Sequence, residues 1–303
     1  PRLRRPLQRQ LPGLDVSRTR AAGNTPRAGI LTEDSGPVVV GILNITPDSF
    51  SDGGDFFDPE AAARHAVAML EEGAGILDLG GESTRPGSDP VSQEEELRRV
   101  IPVIERILAV RPEAVISVDT HRADTATAAL EAGARIINDV TALRGDPSIA
   151  SVVEEAACPV ILMHMQGEPK TMQNEPHYDD VVREVKDFLA QRAEHAISAG
   201  VRPENIILDP GIGFGKNLEH NLALLRNLDA IVDLGFPVLV GASRKRFIGE
   251  ISGVQEARGR VFGTVAATVL AYERGASYFR VHDVRANREA LAVAEAVLRA
   301  SRR

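Results

Sequence analysis

The residues best equipped for chemistry share one kind of place, the polar position that follows a short apolar run. They are Asn44, Thr84 with Arg85, Asp119, Asn138, Asp209, Lys245, and Arg280 with His282. Their types sort into two jobs. Asp119, Asn138, Asp209 and Lys245 offer carboxylate acceptors, an amide that both donates and accepts, and a cationic donor. That set suits a flat heterocycle with N–H donors on one edge and a carbonyl oxygen on another, since paired hydrogen bonds to a charged acceptor are strong. Asn44, Thr84, Arg85, Arg280 and His282 suit an anion, because Arg presents a fork of donors to phosphate oxygens. The Asn44 oxygen could meet Mg2+ bridging a diphosphate, with water and substrate completing the shell. No Cys/His set has transition-metal spacing, and no Ser/His/Asp order is compelling. Each residue also has a plain structural use. Asp119 could cap a helix, and Asn138-Asp139 and Asp209-Pro210 could shape turns. What points to a site is that so many apolar runs end in the same way.

The elements that must position them are legible as alternating runs. Apolar, strand-like segments fall at 38–45, 76–79, 115–118, 135–137, 160–163, 206–208, 238–240 and 278–281. Segments of helical spacing lie between them, and 285–299 closes the series. Asp58-Pro59-Glu60 opens the first helix, and Ser92-Gln93-Glu94-Glu95 reads as a capping box for the second. Further helices are expected at 147–157, 221–234 and 259–274. The first run stops at Thr46-Pro47-Asp48-Ser49, which is turn chemistry, and one bulky apolar residue, Phe50, stands in the polar loop that follows. Eight strand–helix units match a (β/α)8 TIM barrel, an α/β fold of about 250 residues whose active sites lie at the C-terminal ends of the strands. The boundaries expected are a single barrel domain over 29–303 and a separate segment, 1–28. A doubly wound sheet is the competitor. It would place a Gly-rich dinucleotide fingerprint after the first strand, where Asn44-Ile45-Thr46-Pro47 stands instead. Gly211-Ile212-Gly213-Phe214-Gly215 matches one only loosely and follows the sixth strand.

Composition narrows the class further. Apolar residues make up 43% of the 303 residues and aromatics only 4%, with no Trp, so the core must be aliphatic and Ala-rich. A net charge of -8 argues against non-specific nucleic-acid binding. Cys158 is the sole cysteine. It permits no internal disulfide and no Cys-based metal cluster, and reads as a small core residue. No run approaches the ~18 apolar residues of a membrane helix, so a reducing cytoplasm fits. Residues 1–28 hold seven arginines and one acid, Asp15. They read as a disordered extension, with an organellar targeting peptide as the minor alternative. The chain has only four lysines, Lys170, Lys186, Lys216 and Lys245, against an Arg-rich background.

From Val38 onward the sequence closely resembles the dihydropteroate synthase family. The matching blocks are GILNITPDSFSDGG, DLGGESTRPGSDPVSQEEELRRVIPVI, ISVDT, IINDV, ILMHMQGEPKTMQ, ILDPGIGFGKN, LVGASRKRFIG and RVHDV, in the family's order. The resemblance implies condensation of a dihydropterin methyl diphosphate with 4-aminobenzoate, releasing pyrophosphate and giving 7,8-dihydropteroate, with sulfonamides mimicking the second substrate. It implies that Asp119, Asn138, Asp209 and Lys245 hold the pterin, with Arg280 stacking on it. Asn44, Thr84, Arg280 and His282 would take the diphosphate, helped by Arg85, with Mg2+ near Asn44. Phe50, Pro86, Phe214 and Lys245 would wall the aminobenzoate pocket, and Asp52 would lie near the amine. A homodimer is implied as well. Where some members carry Ser after the signature lysine, this chain has Arg246, so the aminobenzoate carboxylate would rest on backbone N–H groups at a helix start or on Arg246 itself.

Other readings remain open on sequence. Methyltetrahydrofolate–corrinoid methyltransferases share the pterin logic but have no use for the 46–54 loop or a diphosphate pocket. An aldolase-type barrel would use Lys245 as a Schiff base, with Arg244 and Arg246 depressing its pKa. A pterin-binding protein without activity is the non-catalytic alternative.

Overall fold

Each apolar run becomes a strand, and all eight are parallel: β1 (Val38–Asn44), β2 (Ile76–Gly80), β3 (Ile116–Asp119), β4 (Ile136–Asp139), β5 (Val160–Met163), β6 (Ile206–Asp209), β7 (Leu239–Val240) and β8 (Tyr278–Val281). The computed structural model describes residues 36–46, 58–82, 91–167 and 170–300. The strands pair in the order β6-β5-β4-β3-β2-β1-β8-β7. A parallel bridge between Leu208 and Val238 joins the two ends, so the sheet closes into a barrel. Residues 1–28, expected to be a disordered extension or a targeting peptide, lie outside the described residues.

The period of two along each strand builds two different surfaces. Residues such as Leu77, Leu79, Ile116, Val118, Ile137, Val160, Leu162 and Leu208 belong to the large outer core shared with the helices. Their alternates, Val40, Ile76, Ile136, Ile161, Ile207, Leu239 and Tyr278, form a separate apolar cluster inside the barrel. Such a layer makes the barrel a packed core rather than a pore. One pleat further along the same inward face stand Asp78, Asn138, Met163, Asp209, Gly241 and Arg280. The chain thus places polar side chains directly above an apolar floor, at the ends of the strands.

Around the barrel run α1 (Pro59–Glu71), α2 (Gln93–Val110), α3 (Ala123–Glu131), α4 (Ile149–Glu155), α5 (Val181–Ser198), α6 (Leu218–Arg226), α7 (Asp229–Val232), α8 (Arg246–Ser252), α9 (Val261–Glu273) and α10 (Val284–Ala300). Asp58 caps α1 by accepting the Glu60 N–H at 2.8 Å. Ser92 caps α2 through the Glu95 N–H at 3.2 Å. The Glu95 carboxylate instead pairs with Arg98 and Arg99, so its half of the expected capping box is spent on ion pairs. Three boundaries differ from expectation. The 221–234 segment divides into α6 and α7. A short helix, α8, without a legible period of its own, follows Lys245 where the resemblance implies a helix start, and ends on Gly253, which takes the left-handed conformation glycine allows (φ 74). Strands β3, β4 and β6 extend one or two residues further than their apolar runs, so Asp119, Asn138 and Asp209 belong to strands rather than turns. Cys158 is buried in the core, and burial pushes its thiol up to about 11.

Candidate active site

Asp119, Asn138, Asp209, Phe214, Lys245 and Arg280 line one cleft at the C-terminal mouth of the barrel, with Val140, Met163 and Gly241 completing its wall. Six of the residues named from sequence thus meet in one place. Asn44 ends β1 beside them, half-buried and paired in register with Gly80. A Cβ placed on Gly80 would stand 3.7 Å from the Asp119 Cβ and 4.0 Å from the Asn44 Oδ1. Phe50, Asp52, Thr84, Arg85 and Pro86 lie outside the described residues.

Arg280 is the hub of the charged face. Its Nε donates to Asp78 Oδ2 at 2.6 Å and its second guanidinium arm to Asp119 Oδ2 at 3.1 Å. Asp78 Oδ2 also accepts from Asn138 Nδ2 at 3.1 Å. One fully buried carboxylate therefore orients two cleft residues, while its Oδ1 lacks a hydrogen-bond partner among the described residues. Sequence reading missed Asp78. The available signal was an acid in the middle of Ile76-Leu77-Asp78-Leu79, on the strand face that points inward.

The electrostatics are those of a site made to receive a polar ligand. Burial raises Asp119 to about 8, against the pull of Arg280 and with added repulsion from Asp78. Burial also raises Asp209, opposed by the Gly211 N–H and by Lys245. Lys245 moves the other way, down to about 7, because burial outweighs the attraction of Asp209. Strong shifts of opposite sign, set by desolvation and specific charged neighbours in one cleft, are typical of functional sites. The Lys245 ammonium stands 4.1 Å over the Phe214 ring and donates to the Ile212 carbonyl.

Arg244 shapes the turn that presents Lys245. It holds a left-handed conformation (φ 59), unfavourable for a residue with a Cβ. A bidentate pair with Asp283, at 2.9 and 2.5 Å, ties it down, and its N–H donates to Thr264 Oγ1 at 3.0 Å. On one side of it Lys245 reaches the cleft. On the other, Ser243 Oγ accepts the His282 backbone N–H at 3.1 Å and lies 3.0 Å from His282 Nδ1. The Ser243 hydroxyl thus holds the His282 backbone and ring together. His282 does not line the cleft itself but adjoins it one residue beyond β8. Arg246 turns outward, exposed and paired with Glu250 at 2.6 Å, so the structure does not bring it to the cleft.

These features define a barrel enzyme with a rim suited to a flat, hydrogen-bonding heterocycle beside cationic groups. A family model for pterin binding enzymes matches residues 40–282. The dihydropteroate synthase of Synechocystis sp. is 48% identical over 263 residues, covering 86% of this chain and 90% of the relative. The structure of Xanthomonas albilineans dihydropteroate synthase with 4-aminobenzoic acid aligns with a TM-score of 0.82 at 51% identity, covering 87% of this chain and 93% of that one. The Yersinia pestis dihydropteroate synthase in a sulfonamide drug complex aligns at 0.81 and 46% identity, covering 88% and 95%. The chain belongs to the dihydropteroate synthase family.

Proposed function

We infer that this chain catalyses its family's reaction, condensing (7,8-dihydropterin-6-yl)methyl diphosphate with 4-aminobenzoate in folate biosynthesis. The carrying observation is the convergence of Asp119, Asn138, Asp209, Lys245 and Arg280 on one cleft above an apolar floor. The aminopyrimidine edge of the pterin donates to Asp209, with Asn138 satisfying its mixed donors and acceptors and Lys245 donating to the ring carbonyl. Arg280, already fixed by Asp78 and Asp119, offers a planar cation to the ring face. Phe214 and Lys245 wall the aminobenzoate side, to which the family resemblance also assigns Phe50, Pro86 and Asp52. Relatives solved with 4-aminobenzoic acid and with a sulfonamide support that assignment and make the chain a sulfonamide target.

The reaction breaks the bond between the pterin CH2 and the diphosphate oxygen and forms a C–N bond to the arylamine, which then loses a proton. The leaving diphosphate needs its charge offset. Arg280, His282, Thr84, Arg85 and Asn44 are the groups of this chain assigned to it. Asp119 and Asp209 favour positive charge on the departing pterinylmethyl group once ionised, a state that burial opposes and the neighbouring cations Arg280 and Lys245 promote. The arylamine is already nucleophilic, so no strong general base is needed.

Mg2+ fits the same pocket in a limited way. Asn44 supplies one neutral oxygen at the mouth, and among the described residues no group of three His, Cys, Asp or Glu side chains could hold a metal. An ion carried chiefly by substrate phosphates with a single protein oxygen is ordinary for Mg2+, and it would offset charge on the leaving group.

A homodimer is supported by an apolar strip on two adjoining helices. Phe262 (88% exposed) and Leu270 on α9, with Val293 and Val297 on α10, face outward, a pattern that marks an interaction surface. A cytoplasmic enzyme is in keeping with the free thiol and with the absence of any membrane-spanning helix among the described residues. Pyrophosphate release on mixing the purified protein, Mg2+, the pterin diphosphate and 4-aminobenzoate tests the reading. Release that requires both organic substrates is expected, and none at all would overturn it.

A further inference from the structure

The loop from Gly211 to Gly215 is held in an unusual way. Four consecutive carbonyls each accept from a side chain. Lys245 Nζ donates to Ile212 O, Gln173 Nε2 to Gly213 O at 2.6 Å, Lys216 Nζ to Phe214 O at 2.9 Å, and Tyr178 Oη to Gly215 O at 2.9 Å. Asn221 Oδ1 takes the Gly213 N–H at 2.6 Å. Gly211, Gly213 and Gly215 all have positive φ, between 60 and 81. A loop of that conformation cannot satisfy its carbonyls in a helix or sheet, so side chains must do it.

Lys216 is the buried member of this set, only 2% exposed, and it makes no salt bridge among the described residues. Besides Phe214 O, its Nζ lies 2.9 Å from His164 Nδ1 and 3.4 Å from His164 O, at the end of β5. Burial pushes Lys216 well below its ordinary range, and repulsion from Lys245 adds to it. His164 is pushed down to about 2, first by burial and then by Lys216, so its ring is neutral and Nδ1 is free to accept from the amine. The two 2.9 Å contacts are what two N–H groups of a buried amine can satisfy. His164 is itself fixed edge-on against Phe188, with ring centroids 4.8 Å apart.

We propose that Lys216 is a positioning residue for the aminobenzoate side of the site, tying the Phe214 carbonyl to His164 and so holding the Phe214 ring under Lys245. The proposal rests on the reading of Phe214 as a wall of that pocket. Glycines flank Phe214 on both sides, so an unpartnered Phe214 carbonyl would let its peptide rotate and carry the ring away. The pterin residues on β3, β4 and β8 would not move.

Three variants separate the possibilities in steady-state kinetics and calorimetric pterin titration. Lys216→Met keeps the stem and loses the donors. It should raise KM for 4-aminobenzoate about tenfold while pterin Kd stays within about twofold. Lys216→Gln, which retains an amide donor, should fall between it and the parent. Phe214→Ala should raise the same KM, and the double variant should be no worse than Phe214→Ala alone, because the lysine acts through the phenyl ring. An unchanged KM in Phe214→Ala would remove the pocket assignment itself. A raised KM there with an unchanged KM in Lys216→Met would overturn the positioning role. So would equal losses of pterin and aminobenzoate binding in Lys216→Met, or additive effects in the double variant. If Lys216→Met does not fold, Lys216→Gln decides by the same two readouts.

Discussion

Two of the chain's four lysines touch the same loop from different sides. Lys245 and Lys216 each donate to one of its carbonyls, Ile212 O and Phe214 O, and burial pulls both below the ordinary lysine range. Their surroundings differ in one respect. Lys245 has a face on the cleft and feels the Asp209 carboxylate across it. Lys216 is sealed behind the loop among carbonyls and a neutral imidazole. The comparison teaches that burial and hydrogen bonding do not tell a binding residue from a positioning residue. What tells them apart is a surface left open to ligand, since the Asp209 carboxylate acts on both lysines.

The widest separation between the two should come from deletion on the open side. Lys245→Ala and Asp209→Asn are each expected to weaken pterin binding by about 2–4 kcal/mol, the usual loss when one partner of a buried charged contact is truncated. Circular dichroism should remain that of the parent, since both side chains sit at the rim rather than in either apolar cluster. Calorimetric titration with a pterin measures the loss. Parent-like affinity in either variant would erase the distinction from Lys216.

Asp78 offers the next largest effect, because it resembles Lys216 in being sealed yet touches two cleft residues directly. Asp78→Asn keeps the shape but removes the charge that Arg280 and Asn138 share. Hydrogen bonds to charged groups contribute about 1.5–3 kcal/mol, so kcat/KM should fall roughly ten- to a hundredfold, with both pterin and diphosphate contacts affected. A drop confined to the KM for 4-aminobenzoate would contradict the hub assigned to Arg280.

Most of the barrel was legible in the sequence, and half of the site was. Apolar runs ending in Asp119, Asn138 and Asp209 marked strand ends because the mouth of the barrel opens on a cleft where a ligand can meet a polar group, and the packed strand interior does not. Asp78 escaped notice for the converse reason: it lies inside a strand, and its partner Arg280 is 202 residues away. Lys216 was noted only as one of four lysines, since nothing local shows that its amine turns back on the Phe214 carbonyl. Helix α8 is legible only as the helix start that the resemblance implies beside Arg246, because Arg246–Ser252 is too short for a period and its stop, Gly253, reads equally well as a loop glycine.

Asp119 gives an effect on stability that depends on pH. Its ordinary value is 3.8 and the folded protein raises it to about 8. Between those values the folded state holds a proton that the unfolded chain has released. Stability from this group therefore falls as pH rises through the window and is level above it. Asp119→Asn has no such proton to lose. In ligand-free melts its Tm, relative to the parent, should climb from about pH 5 to about pH 8, while pterin affinity drops. A difference in Tm that stays flat over that range would show that burial does not govern this carboxyl.

The smallest effect is expected at Arg246, immediately after Lys245 in sequence and on neither side of the loop. Its side chain is 81% exposed and pairs with Glu250 within α8. Such a pair contributes about 0.3–0.5 kcal/mol, so Arg246→Ala should leave Tm nearly unchanged. The sequence left two supports for the aminobenzoate carboxylate, the guanidinium or the backbone at the start of α8. The outward turn of Arg246 favours the backbone, and no side chain caps that helix start. Backbone N–H groups survive the substitution, so KM for 4-aminobenzoate should stay within about threefold of the parent. A rise of tenfold or more would mean that Arg246 leaves Glu250 and swings to the substrate, and the side of the loop now assigned only to Lys245 would then hold two cations.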